Sequence, residues 1–191
     1  MDAEARTHFT AGLRDLAVLA QKVSDSLGPQ LDAAYELIRV TVIRGGTLLF
    51  CGNGGSAADA QHMATEYVVR YMRNRRAYPA LALTTDSSLL TAAANDLGFE
   101  QVFARQIEAI GSAKDLLIIH STSGNSANVL RAAEAAHAKG IKVLAFTARD
   151  GGQLKALADV SVLIPTNRTD RAQELHLCIE HLICELVERS L

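Results

Sequence analysis

The chain has 191 residues, 49% of them hydrophobic, and its 19 basic residues nearly balance 21 acidic ones. This length fits one domain with a sizeable core, and the charge balance gives no electrostatic footprint for nucleic acid or an anionic membrane. No apolar stretch reaches the ~20 residues that span a bilayer, and the charged residues of the first 25 positions argue against a signal peptide. Three cysteines without a CxxC pair suggest reduced thiols, so we expect a cytoplasmic protein.

Two helices are predicted at the start of the chain, over residues 3–27 and 30–44. The sequence "LGP" at 27–29 separates them, because proline interrupts a helix that would otherwise continue. Apolar residues at helical spacing form one stripe along the first helix, which must be buried against something. The stripe consists of Phe9, Leu13, Leu16, Leu19, Ala20 and Val23.

Five short apolar runs follow, and each is continuous, as expected of parallel strands that are covered on both faces. They are "GGTLLFCG" (45–52), "YPALALTT" (78–85), "DLLIIHSTSG" (115–124), "KVLAFTA" (142–148) and "VSVLIPT" (160–166). Helices are predicted between them and after them, from Ser56 to about Met72, over 126–140, and from about Arg171 to Ser190. In the second of these, Ser126 can cap the start and Gly140 can stop the end. The alternation predicts an α/β fold with a doubly wound, five-stranded parallel sheet.

Ligands of such sheets bind at the carboxyl ends of the strands, where the strand order reverses. The first strand is followed by the glycine-rich loop 52–56, whose backbone can approach an anion closely. The third strand is followed by Ser121–Ser126, with four hydroxyls at a helix start. A cap and a tight turn would need only one serine and one glycine, so a phosphate cradle is favoured. Neither G-x-G-x-x-G nor GK[ST] is present, which favours one phosphate on a small molecule.

Two further polar segments carry weaker signals. Residues 84–88, after the second strand, can cap a helix, and a turn at Asn95–Asp96 is predicted to follow that helix. Basic residues gather in "RYMRNRR" at 70–76. A solvated helix end is favoured there over a phosphate site, because cations suit the negative end of the helix dipole.

His62 and Glu66 are spaced i, i+4, which places both side chains on one helix face. Such a pair can supply two metal ligands, or a base and its partner, but the spacing alone is weak evidence. The last helix carries a second pair of this kind, His176 and Glu180, so spacing alone does not identify the working histidine.

Gln173 and His181 of the last helix are separated by about 12 Å along its axis at 1.5 Å per residue. One metal touches both only if it sits midway between extended side chains, or if the two residues come from different subunits.

Four stretches together resemble one known family. They are "CGNGGSAADAQHMATE", "LTTDSSLLTAAANDLGFEQVFARQ", "STSGNSANV" and "DRAQELHLCIEH", and they resemble the phosphoheptose isomerases of the sugar isomerase (SIS) domain superfamily. The resemblance runs from about Leu13 to the C-terminus. "STSG" alone marks only the superfamily, whereas its combination with "GNGGSAADAQH" and "QE-x-H-x4-H" is much more specific. Thr65 departs from some relatives, which have a second Glu there, but Glu66 is kept.

The resemblance implies which residues of this sequence form the site. The substrate loop falls on Asn53, Gly54, Gly55 and Ser56, and the phosphate cradle on Ser121, Thr122, Ser123 and Ser126. Further substrate-binding positions fall on Arg70, Asn95, Asp96, Asp170 and Gln173. The zinc ligands fall on His62, Glu66, Gln173 and His181, one Zn²⁺ per subunit, which decides against His176.

The activity implied by the resemblance is aldose–ketose isomerisation of sedoheptulose 7-phosphate to D-glycero-D-manno-heptose 7-phosphate, the first step towards nucleotide-activated heptose. We expect an enediol path with Glu66 as base and His181 as its acid/base partner. The family assembles as tetramers with sites between subunits. We therefore predict a single SIS domain over residues 1–191, whose helical extension, 1–45, serves in oligomerisation.

Two alternatives belong beside this reading. Some SIS relatives are non-catalytic phosphosugar-binding proteins, one of which binds a bacterial replication initiator; such a protein can lose the metal ligands, whereas all four candidates are present here. Isomerases of arabinose 5-phosphate usually carry extra regulatory domains, and this sequence has none.

Overall fold

The computed structural model describes residues 2–191, which form helices on both faces of one sheet. In chain order the elements are α1 Ala3–Ser26, α2 Gly28–Ile43, β1 Leu48–Gly52, α3 Gly55–Val68, β2 Ala80–Ala82, α4 Ser87–Leu97, a 3-10 turn Phe99–Gln101, α5 Ala104–Ile110, β3 Leu116–Ser121, α6 Ala127–Ala138, β4 Lys142–Ala148, α7 Leu154–Leu157, β5 Val160–Ile164 and α8 Thr169–Ser190.

The five strands form one parallel sheet in the order β2-β1-β3-β4-β5. This confirms the predicted α/β fold with a doubly wound, five-stranded parallel sheet. The chain passes from β1 to β2 on one side and then returns to β3 on the other side of β1. The strand order therefore reverses between β1 and β3, whose carboxyl ends lie level, with Gly52 opposite His120. A crevice at this point is where such sheets bind their ligands.

Alternate residues of the strands point to opposite faces of the sheet, and both faces are buried. Phe50, Ile118 and Phe146 face the layer formed by α1, α2, α3 and α8. Leu49 and Ile119 face the layer formed by α4, α5, α6 and α7. The two apolar layers explain why the strands read as continuous apolar runs in the sequence.

Helix α3 ends at Val68, about four residues before the predicted end at Met72. The N–H of Tyr71 and the two N–H groups that follow it donate to the side-chain carboxylate of Glu188 instead of to helix carbonyls. The guanidinium of Arg75 donates hydrogen bonds to the backbone carbonyls of Glu66 and Tyr67. These side chains form hydrogen bonds with the backbone N–H and carbonyl groups that would bond to each other if α3 were longer.

Two other local predictions are wrong in detail. Asn95 and Asp96 lie in the last turn of α4 and not in a turn after it. Ser126 takes the N-cap position of α6, but its side chain makes no capping hydrogen bond. By contrast, the predicted end of α6 at Gly140 is confirmed, because the φ of Gly140 is +71°, which glycine adopts readily.

The apolar stripe of α1 is covered only in its second half. Val23 is buried, and Leu16 and Leu19 pack against the core, whereas Phe9 and Leu13 are 60% and 68% exposed. Within one chain only the second half of the stripe is buried, and burial of Phe9 and Leu13 against another subunit stays a prediction. Within residues 2–191, no helix combines the length and the hydropathy that crossing a membrane would require.

Candidate functional site

Helices α3 and α8 lie side by side and run in the same direction. The Gln173 amide donates to the Ser56 hydroxyl near the start of both helices, and His181 meets His62 further along. Both helices also belong to the apolar layer on one face of the sheet. The two helices therefore extend from the crevice between β1 and β3, and the predicted ligands lie on the sides where α3 and α8 face each other.

Three of the four predicted metal ligands converge between these helices: His62, Glu66 and His181. The Nε2 atoms of the two histidines are 2.9 Å apart, and His62 Nε2 is 3.3 Å from Glu66 Oε1. One ligand atom from each of the three residues lies within 4.8 Å of the others. Zn²⁺ binds nitrogen and oxygen at about 2.0–2.2 Å, which places tetrahedral donors about 3.3–3.5 Å apart. The donor types suit a divalent metal with an open position for substrate, and the 2.9 Å between the histidine nitrogens is a hydrogen-bond spacing that a bound ion would widen.

The environment of His181 favours its neutral form. Partial burial and the neighbouring His62 lower the pKa of His181, although the Glu66 carboxylate opposes this shift. Neutral imidazole is the form that binds metal, since the nitrogen lone pair must be free. The ring of Tyr71 also lies flat against the His181 ring, with 5.1 Å between centroids and 4° between planes.

The fourth predicted ligand, Gln173, hydrogen-bonds to a residue outside this cluster. Its amide lies against the start of α3, 3.3 Å from the Ser56 hydroxyl. A Cβ added to Gly55 would approach the Gln173 amide to 2.6 Å, so glycine leaves room for the amide in this position. Within one chain Gln173 therefore faces the glycine loop, while His181 faces His62.

The two strand-end loops are tied together by a reciprocal amide pair. Asn53, in the glycine loop, and Asn128, in the first turn of α6, each donate to the other's carbonyl oxygen at 2.8 Å. The fixed distance between the loops fits one ligand that spans them. The sequence pointed to Asn53 but not to Asn128. The one available signal for Asn128 was its position just after the hydroxyl-rich loop.

The hydroxyl-rich loop turns sharply at Gly124, whose φ is +63°. The Ser121 hydroxyl accepts the N–H of Gly124 at 3.2 Å, and the Ser123 hydroxyl accepts the N–H of Asn125 at 3.3 Å. Thr122 and Ser126 are half-buried. The four hydroxyls gather at the N-terminus of α6, where backbone N–H groups and the helix dipole favour an anion.

The remaining predicted substrate residues are not brought to the metal-ligand cluster. Among residues 2–191, no hydrogen bond or ion pair joins Arg70, Asn95, Asp96 or Asp170 to it. Arg70 is exposed, Asn95 donates to the neighbouring Asp96, and Asp170 pairs with Arg168.

His176, the competing histidine of α8, lies in the core. Its Nε2 is 3.0 Å from the Thr147 carbonyl, and burial lowers the pKa of His176 to about 3. The structure therefore separates the two H-x-x-x-E pairs that spacing alone did not distinguish.

A buried polar group beside the cluster was not anticipated from the sequence. His120, in β3, meets the Glu180 carboxylate at 2.8 Å, and both side chains are almost fully buried. Burial opposes the charge on His120, but Glu180 outweighs this and raises the pKa of His120. Asp59 faces this pair from α3, and burial raises the pKa of its carboxyl group. Glu180 immediately precedes His181, so the pair holds the turn of α8 that presents His181.

Arg75 and Glu188 form a second buried ion pair, 3.0 Å apart and only 9% and 0% exposed. The interpretation of residues 70–76 as a solvated helix end is therefore wrong for Arg75. The available signal was Glu188 itself, which falls on the buried face of α8 beside Val187 and Cys184. A carboxylate on such a face needs a partner.

Comparison with known proteins adds one family match, two curated relatives and one solved structure. The family model described as SIS domain matches residues 13–148. A phosphoheptose isomerase of Aliarcobacter butzleri is 47% identical over 89% of this chain and 90% of its own length. One from Roseiflexus sp. is 48% identical over 90% and 87%, respectively. The solved structure of phosphoheptose isomerase GmhA from Neisseria gonorrhoeae is 41% identical and superposes with a TM-score of 0.91, covering 97% of this chain and 99% of that one.

Proposed function

The chain belongs to the phosphoheptose isomerase family of SIS-domain proteins, and from this membership we propose where and how it isomerises its substrate. Its function is the aldose–ketose isomerisation of sedoheptulose 7-phosphate to D-glycero-D-manno-heptose 7-phosphate, a step of heptose metabolism. We assign the reaction to the cluster of His62, Glu66 and His181. The observation that carries this assignment is the convergence of the three side chains between α3 and α8.

The substrate is proposed to lie across the ends of β1 and β3. Its phosphate would rest on Ser121, Thr122, Ser123 and Ser126, at the positive end of α6. The sugar would lie on the loop Asn53–Ser56, with Gln173 reaching it beside Ser56. The amide pair of Asn53 and Asn128 supports this placement, because it sets the distance between the two loops.

Glu66 is proposed as the base of the reaction. It would take a proton from C1 of the ketose to form the enediol and return it to C2 to form the aldose. His181 would be its acid/base partner, and the ring nitrogen of His181 that does not hold the metal would protonate the C2 oxygen and accept the proton of the C1 oxygen. General acid–base groups of this kind contribute about 10²–10⁴-fold each.

His62, Glu66 and His181 are also proposed to hold Zn²⁺, one ion per subunit. When bound, this ion would polarise the sugar carbonyl as a Lewis acid. A carboxylate has two oxygens, so one oxygen of Glu66 can bind the ion while the other accepts the proton. Gln173 of the same chain lies against Ser56. As a fourth ligand it would have to leave this contact, or come from a neighbouring subunit.

The assembly is proposed to be a homotetramer with sites between subunits, to which the helical extension 1–45 contributes. Exposed apolar side chains on α1 support this. Contacts between subunits would also give roles to Arg70, Asn95, Asp96 and Asp170, which lie outside the cluster of one chain. A cytoplasmic location is supported by the three cysteines, all of them free thiols.

The deciding experiment is incubation of the protein with sedoheptulose 7-phosphate, with and without a chelator, followed by chromatography of the sugar phosphates. We expect the aldose to form only without chelator, and zinc to restore its formation. Tight binding of the sugar phosphate without any aldose would overturn the proposal.

A further inference from the structure

The segment after α3 places an aromatic ring on the proposed acid/base histidine. The phenol ring of Tyr71 and the imidazole ring of His181 are parallel within 4°, with centroids 5.1 Å apart. Tyr71 lies three residues beyond the end of α3. It comes from none of the four motifs that resemble the isomerase family, and the proposed reaction gives it no role.

The backbone of Tyr71 is held by the helix that carries His181. Glu188, two turns after His181 in α8, accepts the N–H groups of Tyr71, Met72 and Arg73 at 2.8 to 2.9 Å. A buried carboxylate that accepts three backbone N–H groups fixes the path of that segment. The backbone from which the Tyr71 ring extends is thus held by α8 itself.

Arg75 joins this arrangement to the helix that carries Glu66. Its guanidinium donates to Glu188 at 3.0 Å, to the Glu66 carbonyl at 2.7 Å and to the Tyr67 carbonyl at 2.8 Å. The backbone of the proposed base and the backbone of Tyr71 are therefore held by one buried ion pair. This pair lies where α3 and α8 meet.

We propose that Tyr71 is a positioning residue for His181, held in place by the Arg75–Glu188 pair. A histidine ring turns easily about its last side-chain bond, because the preferences of that torsion are broad. A flat ring against one face of the imidazole restricts this rotation and keeps water off that face. The Nε2 edge then stays directed at His62 and Glu66. The consequences for metal binding and catalysis rest on the proposed function, whereas the ring contact does not.

The test compares Tyr71→Phe with Tyr71→Leu and Tyr71→Met. Phenylalanine keeps the stacked ring, whereas leucine and methionine remove it and keep an apolar side chain. Tyr35→Leu is the matched control, because Tyr35 is another half-buried tyrosine on the same apolar layer but lies on α2. Zn²⁺ affinity is measured by competition with a chromogenic chelator, and kcat and KM are measured with sedoheptulose 7-phosphate.

We expect Tyr71→Phe and Tyr35→Leu to bind Zn²⁺ within about twofold of the parent, and the variants without the ring to bind it about 10–100-fold more weakly, as when other outer-shell partners of ligands are lost. In those variants kcat should fall while KM changes little. Unchanged Zn²⁺ affinity in both Tyr71→Leu and Tyr71→Met would overturn the proposal.

A measurement on the metal-free parent protein requires no variant. NMR should show nuclear Overhauser contacts between the ring protons of Tyr71 and His181, and ring-current shifts of the His181 signals that Tyr71→Phe retains. Glu188→Gln should weaken both. Absence of these contacts in the parent would overturn the proposal even if the protein is an active isomerase. Their presence in a protein that forms no aldose would overturn the proposed reaction alone.

Discussion

The Nε2 atoms of His62 and His181 lie 2.9 Å apart, although 119 positions separate the two residues in the chain. At this distance one Nε2–H donates to the other Nε2, and a bound metal ion would take the place of that proton. Glu66 approaches the same His62 nitrogen at 3.3 Å. The three side chains therefore converge on one small volume, which is a property of metal-ligand sets and of acid–base pairs.

Glu66→Gln tests the proposed base. We expect kcat to fall by at least about 10²-fold, since an amide cannot take a proton from carbon, while the sugar phosphate still binds, as measured by calorimetry. Glu108→Gln is the control, because Glu108 forms an exposed ion pair with Arg105. Near-normal turnover of Glu66→Gln would contradict the assignment.

His62→Ala tests the metal site. The loss of one of three converging ligands should remove bound Zn²⁺, measured by elemental analysis after gel filtration, and isomerase activity with it. His137→Ala, a change of an exposed histidine beside Asp159, should leave the zinc content unchanged. Stoichiometric zinc in His62→Ala would rule out this ligand.

Ser126→Ala tests the phosphate cradle. Because the Ser126 side chain makes no capping hydrogen bond, its loss should leave the free energy of unfolding nearly unchanged while KM rises several-fold. Asp86→Ala provides the opposite case, because Asp86 caps α4 through the N–H of Leu89. That variant should lose about 1 kcal/mol of stability. An unchanged KM for Ser126→Ala would remove this residue from the cradle.

Glu188→Gln tests the buried ion pair through the pH dependence of stability. Burial alone would raise the pKa of Glu188, but three backbone N–H groups and Arg75 together lower it from its ordinary 4.5. A lowered folded-state pKa means that the carboxylate stabilises the fold above pH 4.5 and loses this effect as pH falls through the folded-state value.

The variant should therefore unfold about 3–5 kcal/mol more easily than the parent at pH 7, because it leaves Arg75 buried without a counter-charge. The difference should shrink as the pH approaches and passes the folded-state pKa. Urea unfolding at a series of pH values measures it, with Glu134→Gln, a change in an exposed ion pair, as the control. A difference that is constant with pH would contradict the charge-based explanation.

Exposed apolar residues on α1 predict the assembly state. Light scattering at low micromolar concentration should give the mass of a tetramer, and Leu13→Asp, which charges the 68% exposed Leu13, should reduce it. A parent protein that is monomeric under these conditions would count against the proposed homotetramer.

The sequence by itself determined the sheet and its chemistry-bearing ends. Continuous apolar runs predicted β1 and β3–β5 closely, because strands buried on both faces have no polar side. Hydroxyls and glycines after β1 and β3 marked the crevice, since parallel strands bring their carboxyl ends to one edge. These signals are local and lie in the spacing of neighbouring residues.

The family resemblance implied His181, but residue spacing did not distinguish the two histidines or show where α3 ends, and the tertiary structure decided both. His176 and His181 occupy different sides of one helix, and the packing of α8 on the sheet buries the first and turns the second towards α3. Likewise, Glu188 ends α3 from more than a hundred residues away in the chain. Such contacts depend on how two helices pack, and the spacing of residues along either helix does not encode that packing.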